Sequence, residues 1–162
     1  MPPYTVIRDS KEKEGHGWLF DAQDHPKPGK PMCLGTIVEH LETGDYTISG
    51  YEDLVTIERK IDFSELWVNY SQKDTFEREM ERMSNFKYKA IIVESVISPE
   101  IMQLTPPQFT TKVPGKVLVR WLMKIFARYD IPFIAAGKCG QQIAQIFFEE
   151  VIRSEKDRWV RQ

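Results

Sequence analysis

The sequence is short of most residues that announce a chemistry by themselves. Of its 162 residues, two are cysteine and three are histidine. Cys33 and Cys139 lie far apart and form no CxxC pair, which argues against a disulfide framework or a zinc knuckle and leaves two reduced, structural thiols. His16, His25 and His40 form no HxH or HxxxH pair and fall in loops or on an exposed strand, so no histidine-built metal centre is expected. No apolar run approaches the ~20 residues that a membrane-spanning helix requires. The opening Met1-Pro2-Pro3-Tyr4 lacks the basic and apolar regions of a signal peptide. The expected location is the cytosol or nucleoid, with no membrane partner. A one-sided charge is missing as well: the net charge of −2 gives no overall attraction to a polyanion, so any grip on nucleic acid must come from a local basic patch or a bound cation.

A hydrophobic fraction of 41% over this length supports one compact domain spanning residues 1–162, with a charged tail over 153–162. Tyr4-Thr5-Val6-Ile7 is β-branched and aromatic, as a buried strand is, and empties into polar residues 8–14. Residues 15–31 are rich in Gly, Pro, His and Lys and read as an irregular excursion anchored by Trp18 and Phe20. Thr36 to Leu41 suits an extended segment. Gly44-Asp45 then turns into Tyr46-Thr47-Ile48, and a second turn at Gly50 leads to a strand over 53–60, which together make a hairpin. Phe63, Leu66, Trp67, Tyr70, Phe76, Met80 and Met83 recur at helical spacing, enough for one or two helices. Ala90-Ile91-Ile92-Val93-Glu94 is a continuous apolar run, the mark of a central strand buried on both faces.

Ser98-Pro99-Glu100 is a helix start with Ser98 as cap, and the three prolines of 105–115 predict a surface loop. Val117, Leu118, Trp121, Leu122, Ile125 and Phe126 form the apolar stripe of an amphipathic helix. Residues 132–137 predict a further strand at or near an edge. Ile143, Ile146, Phe147 and Val151 mark a last helix that frays into the tail from Arg153. The order predicts an α/β architecture, a mixed sheet flanked by helices.

The chemistry is concentrated in the hairpin. Glu58 and Lys60 are two apart on a predicted strand, so their side chains leave the same face while Arg59 leaves the other. Asp45 opens the preceding strand and brings a second carboxylate within reach of Glu58. Oxygen ligands of this kind suit Mg2+ or Mn2+, which polarises a phosphoryl oxygen and acidifies a bound water, with the lysine positioning that water or stabilising developing charge. The same spacing also describes an exposed hairpin with an incidental ion pair, and spacing alone favours that plainer reading.

Gly44-Asp45-Tyr46 followed by Glu58-Arg59-Lys60 resembles the "GD…ERK…D" signature of the XPF-type endonuclease domain. Val6-Ile7-Arg8-Asp9-Ser10-Lys11-Glu12 resembles that family's opening strand and "D-S-R-E" element. The segments 76–83, 91–94 and 132–134 resemble its helix, central strand and late strand, so the likeness covers most of the chain in the right order. The resemblance implies a restriction-endonuclease-like fold, with Asp45 and Glu58 as metal ligands, Lys60 as the water-positioning residue and Asp9 beside the metal. Arg59 becomes a structural or phosphate-side partner.

Two positions depart from the pattern. The family's last acidic residue falls on Ser64, flanked by Asp62 and Glu65, and Glu65 fits if one residue is inserted. Gln72-Lys73 stands where relatives carry Gly-Arg. The expected function is Mg2+-dependent or Mn2+-dependent cleavage of branched, flapped or junction DNA in repair, recombination or replication, by a protein similar to compact stand-alone forms of phages and bacteria. Lys11, Arg59, Lys73, Lys116 and Arg120 are its candidate DNA contacts, the last two belonging to a basic stripe of Lys112, Lys116, Arg120, Lys124 and Arg128 that equally suits a solvated helix face. With no tandem helix-hairpin-helix module after Gln162, binding would rest on this domain, a partner protein or a homodimer. The rival reading is a catalytically inactive DNA-binding or scaffolding subunit, disfavoured because carboxylates left without a role would only repel DNA.

Overall fold

The computed structural model describes residues 1–12, 15–103 and 113–159, without the side chains of 157–159. Six strands, β1 (Tyr4–Asp9), β2 (Cys33–Glu39), β3 (Tyr46–Ile48), β4 (Val55–Lys60), β5 (Tyr88–Val93) and β6 (Phe133–Ala135), form one mixed sheet in the order β2-β1-β3-β4-β5-β6. The β1–β3 and β3–β4 pairs are antiparallel, and the β1–β2, β4–β5 and β5–β6 pairs are parallel. The helices are α1 (Phe63–Ser71), α2 (Lys73–Ser84), α3 (Pro99–Gln103), α4 (Gly115–Tyr129) and α5 (Gly140–Trp159). No described helix is long and apolar enough to cross a membrane.

Alternation along the strands sorts the side chains into two cores. Val6, Tyr46, Ile48, Val55, Ile57, Ala90 and Ile92 meet Ala144, Phe148, Val151 and Ile152 of α5 on one face. Ile91 and Val93 meet Phe63, Leu66 and Trp67 of α1, Phe76, Met80 and Met83 of α2, and Leu118, Leu122 and Ile125 of α4 on the other. β5 feeds both cores, which is why its sequence is continuously apolar rather than alternating. In strand order, however, it is next to the edge rather than central. β6 is the edge strand that its leading proline predicts. The Ser98 hydroxyl accepts the Ile101 amide at 3.3 Å, as a helix cap does.

Several expectations need correction. The extended segment at Thr36 begins earlier, at Cys33, and forms the opposite, parallel edge of the sheet. Val117 and Phe126 are 40% and 42% exposed, so the buried stripe of α4 is narrower than its apolar sequence. The tail does not fray at Arg153: α5 runs to Trp159, because Glu155 is buried and binds Lys87 Nζ at 2.5 Å and the Tyr88 hydroxyl at 2.8 Å. Ile146, expected in the core, is 55% exposed. Cys33 is buried, but Cys139 is exposed and has no structural role in the core; both are free. The loop expected over 105–115 falls mostly outside the described residues, as does Lys112.

Candidate active site

The hairpin that carries the candidate residues is set by a glycine. Gly44 has φ +74°, and a Cβ there would overlap the Thr56 hydroxyl, so only glycine lets the chain turn this tightly onto β4. The turn delivers Asp45 to the start of β3, where its amide donates to Ile57 O at 2.8 Å and its Oδ2 accepts the Arg59 amide at 2.7 Å. On β4 the side chains alternate: Val55 and Ile57 enter the α5-side core and Arg59 follows them, while Thr56, Glu58 and Lys60 leave by the other face. Asp45, Glu58 and Lys60 then line one cavity of about 410 Å3, together with Lys11, Glu12, His16, Arg59, Ile61, Asp62 and Glu65.

Within that cavity Lys60 Nζ binds Glu58 Oε1 at 2.7 Å and lies 4.0 Å from Glu65 Oε1. Both members of the pair are nearly buried. Burial works against the Lys60 charge, but the Glu58 carboxylate outweighs it and holds the ammonium above the usual lysine range. Burial also pushes the Glu58 carboxyl up, against the pull of Lys60. Asp45 is raised further, by burial first and then by the negative charge of Glu58, with the Arg59 amide opposing. One ammonium therefore faces more carboxylates than it can neutralise, and such a surplus is relieved by a cation.

The donor set fits a hard divalent ion in a limited way. Among the described residues no three Asp, Glu, His or Cys side chains converge as a ready-made metal cage. Mg2+ asks for less: one or two carboxylates, with water and substrate phosphate oxygens completing its shell. Asp45 and Glu58 can supply that pair, each having one oxygen already tied, to the Arg59 amide and to Lys60.

The remaining sequence candidates sort differently. Asp9 is next to Asp45 in the strand ladder, its amide donating to Asp45 O at 2.7 Å. Its carboxylate, however, accepts the Leu41 amide at 3.0 Å, faces His40 Nδ1 at 3.7 Å and does not line the cavity. Asp62 and Glu65 do line it. Asp62 caps α1 by accepting the Glu65 amide at 3.2 Å, and Glu65 Oε2 accepts the Ile61 amide at 2.9 Å, which leaves Oε1 turned towards Lys60. Of the two, Glu65 is better placed as a third carboxylate.

Arg59 does not have the free guanidinium that a phosphate contact needs. Its side chain is buried, donates to Glu94 Oε2 from Nε at 3.0 Å and from Nη2 at 2.5 Å, reaches Glu12 Oε1 at 3.4 Å, and lies over the Trp18 ring. Its role is structural. Lys11 lines the same cavity as Asp45, Glu58 and Lys60. Lys73 and Arg120 come together elsewhere, in a groove of about 430 Å3 between α1–α2 and α4 that also holds Lys124, Asp74 and Glu77. Lys116 is exposed on the first turn of α4 and lies outside that groove.

Sequence reasoning left Glu12 undecided and set His16 aside, yet both line the cavity. The periodicity of β1 ends before either residue, and neither carries a spacing signal. Only the fold of the loop after β1 brings them in.

No family model and no curated protein sequence matches the chain. Among solved structures it is similar to XPF from Aeropyrum pernix, with 19% identity and a TM-score of 0.61 over 98% of this chain and 70% of that one. It is also similar to XPF from Aeropyrum pernix in complex with DNA, with 18% identity and a TM-score of 0.59 over 93% of this chain and 66% of that one. In fold, the chain matches the family whose signature its hairpin residues resemble.

Proposed function

We propose that the protein is a divalent-metal-dependent endonuclease that hydrolyses phosphodiester bonds in DNA, with branched, flapped or junction DNA as its substrate. The observation that carries this reading is the convergence of Asp45, Glu58 and Lys60 on one cavity, with more negative charge than the lysine balances. Mg2+ or Mn2+ held by Asp45 and Glu58, with Glu65 nearby, would polarise the phosphoryl oxygen and acidify a water. Lys60, kept charged by Glu58, stabilises negative charge developing on the phosphate. Lys11, in the same lining, contributes a second positive charge.

The DNA strand flanking the scissile bond is assigned to the groove of Lys73 and Arg120. Lys60 Nζ lies 5.5 Å from the Phe76 ring, and that ring lies 5.1 Å from the Trp121 ring, so groove and cavity are neighbours on one side of the sheet. That the similar XPF from Aeropyrum pernix was solved in complex with DNA supports a nucleic-acid substrate.

The test is cleavage of labelled duplex, flap and four-way-junction DNA with and without Mg2+ or Mn2+, beside Asp45→Ala and Lys60→Ala. Metal-dependent cutting that both substitutions abolish is expected. Cleavage that survives both would refute the assignment, and binding without cleavage would favour the scaffolding subunit.

A further inference from the structure

We propose that His16 is a further catalytic residue of this cavity, donating the proton that the leaving sugar oxygen needs when the phosphodiester bond breaks. The proposal rests on the nuclease reading above and adds to it a group that neither the hairpin nor its signature contains.

The first support is place. His16 is exposed and lines the cavity from the loop after β1, together with Glu58 and Lys60 of β4 and with Asp62 and Glu65 at the start of α1. The second is that its loop is built rather than casual. Trp18, two residues on, is buried; its amide donates to the Tyr46 hydroxyl at 2.7 Å and its indole N–H to Glu94 Oε1 at 2.9 Å. The Tyr46 hydroxyl donates in turn to Glu12 Oε2 at 3.2 Å, Glu12 Oε1 meets Arg59, and Arg59 binds Glu94. These contacts close a ring that starts and ends on Trp18. Between His16 and this ring stands Gly17, where a Cβ would come within 2.7 Å of Arg8 Nε and Glu12 Cγ and 2.8 Å of the Tyr46 hydroxyl. The backbone is pressed onto the sheet there, which fixes the position from which His16 reaches the cavity.

The third support is chemical. Hydrolysis joins the water oxygen to phosphorus, breaks the bond from phosphorus to the sugar oxygen, and leaves that oxygen with the bonding electron pair. The resulting alkoxide must gain a proton, while the proton lost by the water passes to solvent. Among the side chains lining the cavity, lysine and arginine hold their protons at neutral pH, Arg59 is spent on Glu12 and Glu94, and carboxylates that bind a cation are ionised. Histidine is the side-chain type that gives and regains a proton near neutral pH, and His16 is the histidine in this wall. Solvent returns its proton after each turnover.

The experiment compares His16→Ala and His16→Gln with the wild type in Mn2+ on two kinds of DNA. One is ordinary. The other carries a single bridging sulfur in place of the 3′ or the 5′ oxygen at the cleavage position, because a thiolate departs without a proton. Both variants should cut ordinary DNA at least about 100-fold more slowly. They should stay within about threefold of wild type on the DNA whose sulfur is the leaving atom, since that step needs no acid. Equal loss on both substrates would reduce His16 to a positioning residue and overturn the proposal, as would no loss on ordinary DNA. A wild type inert towards every substrate would instead refute the nuclease reading beneath it.

Discussion

The two faces of β4 both bury charge, and they handle it in opposite ways. On the face towards Trp18, the Arg59 guanidinium is met by Glu12 and Glu94, and the carboxylates are closed off by the Tyr46 hydroxyl and the Trp18 indole. Each charged group there is held by more than one partner, although Arg59 and Glu12 also reach the cavity wall. On the face towards α1, a single Lys60 confronts Glu58, Asp45 and Glu65 in a cavity open to solvent. Neighbouring residues of one strand thus divide a hydrogen-bonded ion network around Trp18 from one that faces open space. The distinguishing mark is the size of the surplus: two carboxylates meet one guanidinium on the first face, and three surround one ammonium beside open space on the second, where a cation can arrive to neutralise them.

Asp45→Asn gives the sharpest contrast. The amide oxygen can still accept from the Arg59 amide, but the charge that repels Glu58 is gone. Cleavage should fall at least about 100-fold, while stability in urea rises. A variant less stable than wild type would break the comparison.

Glu94→Ala should do the reverse. It leaves the buried Arg59 with Glu12 alone and should cost about 3 kcal/mol, read from the urea midpoint. The accompanying fall in cleavage should be smaller than that of Asp45→Asn, because Glu94 touches no atom of the cavity's acidic set.

A milder probe is pH. Burial and the charge of Glu58 raise the folded-state pKa of Asp45, and a raised carboxyl contributes stability at low pH that is lost as pH rises through the folded value. In chelator-treated protein the urea midpoint should therefore carry a component that declines from the ordinary carboxylate range upwards. Asp45→Asn should remove that component, and Mn2+ should offset it at neutral pH.

The smallest effect belongs to the second groove. Lys73→Glu with Arg120→Glu should weaken DNA binding without altering the cleavage rate at saturating DNA. The salt dependence should lose about 0.9 from its slope for each phosphate contact removed. An unchanged slope would return these residues to an ordinary solvated helix surface.

How much of this the sequence carries follows from which contacts are local. Glu58 and Lys60 share a face by strand alternation, and Asp45 joins them across a hairpin that Gly44 and Gly50 announce, so the acidic pair and the amine are legible from spacing. β5 is legible because burial on both faces leaves it no polar position. Glu12 and His16 are not, and Glu94 shows in the sequence only as a charge at the end of β5, without Arg59 and Trp18 as its partners. Their roles depend on Trp18, 28 residues before Tyr46 and 76 before Glu94, and no periodicity spans such separations.

Asp9 lies outside the cavity lining for a related reason: the return of the chain after β2 presents the Leu41 amide to its carboxylate. The helix persists past Arg153 because Glu155 finds Lys87 and Tyr88 on the far side of the chain, contacts that a charged tail does not advertise.

The central claim is that the surplus carboxylates of the hairpin exist to hold a divalent cation beside Lys60. Its most direct test is a Mn2+ titration followed by electron paramagnetic resonance, on the wild type, Asp45→Asn and Glu58→Gln in the presence of duplex DNA at low temperature. The account predicts Mn2+ bound by the wild type at a site that either substitution removes. Identical Mn2+ binding in all three proteins would contradict it.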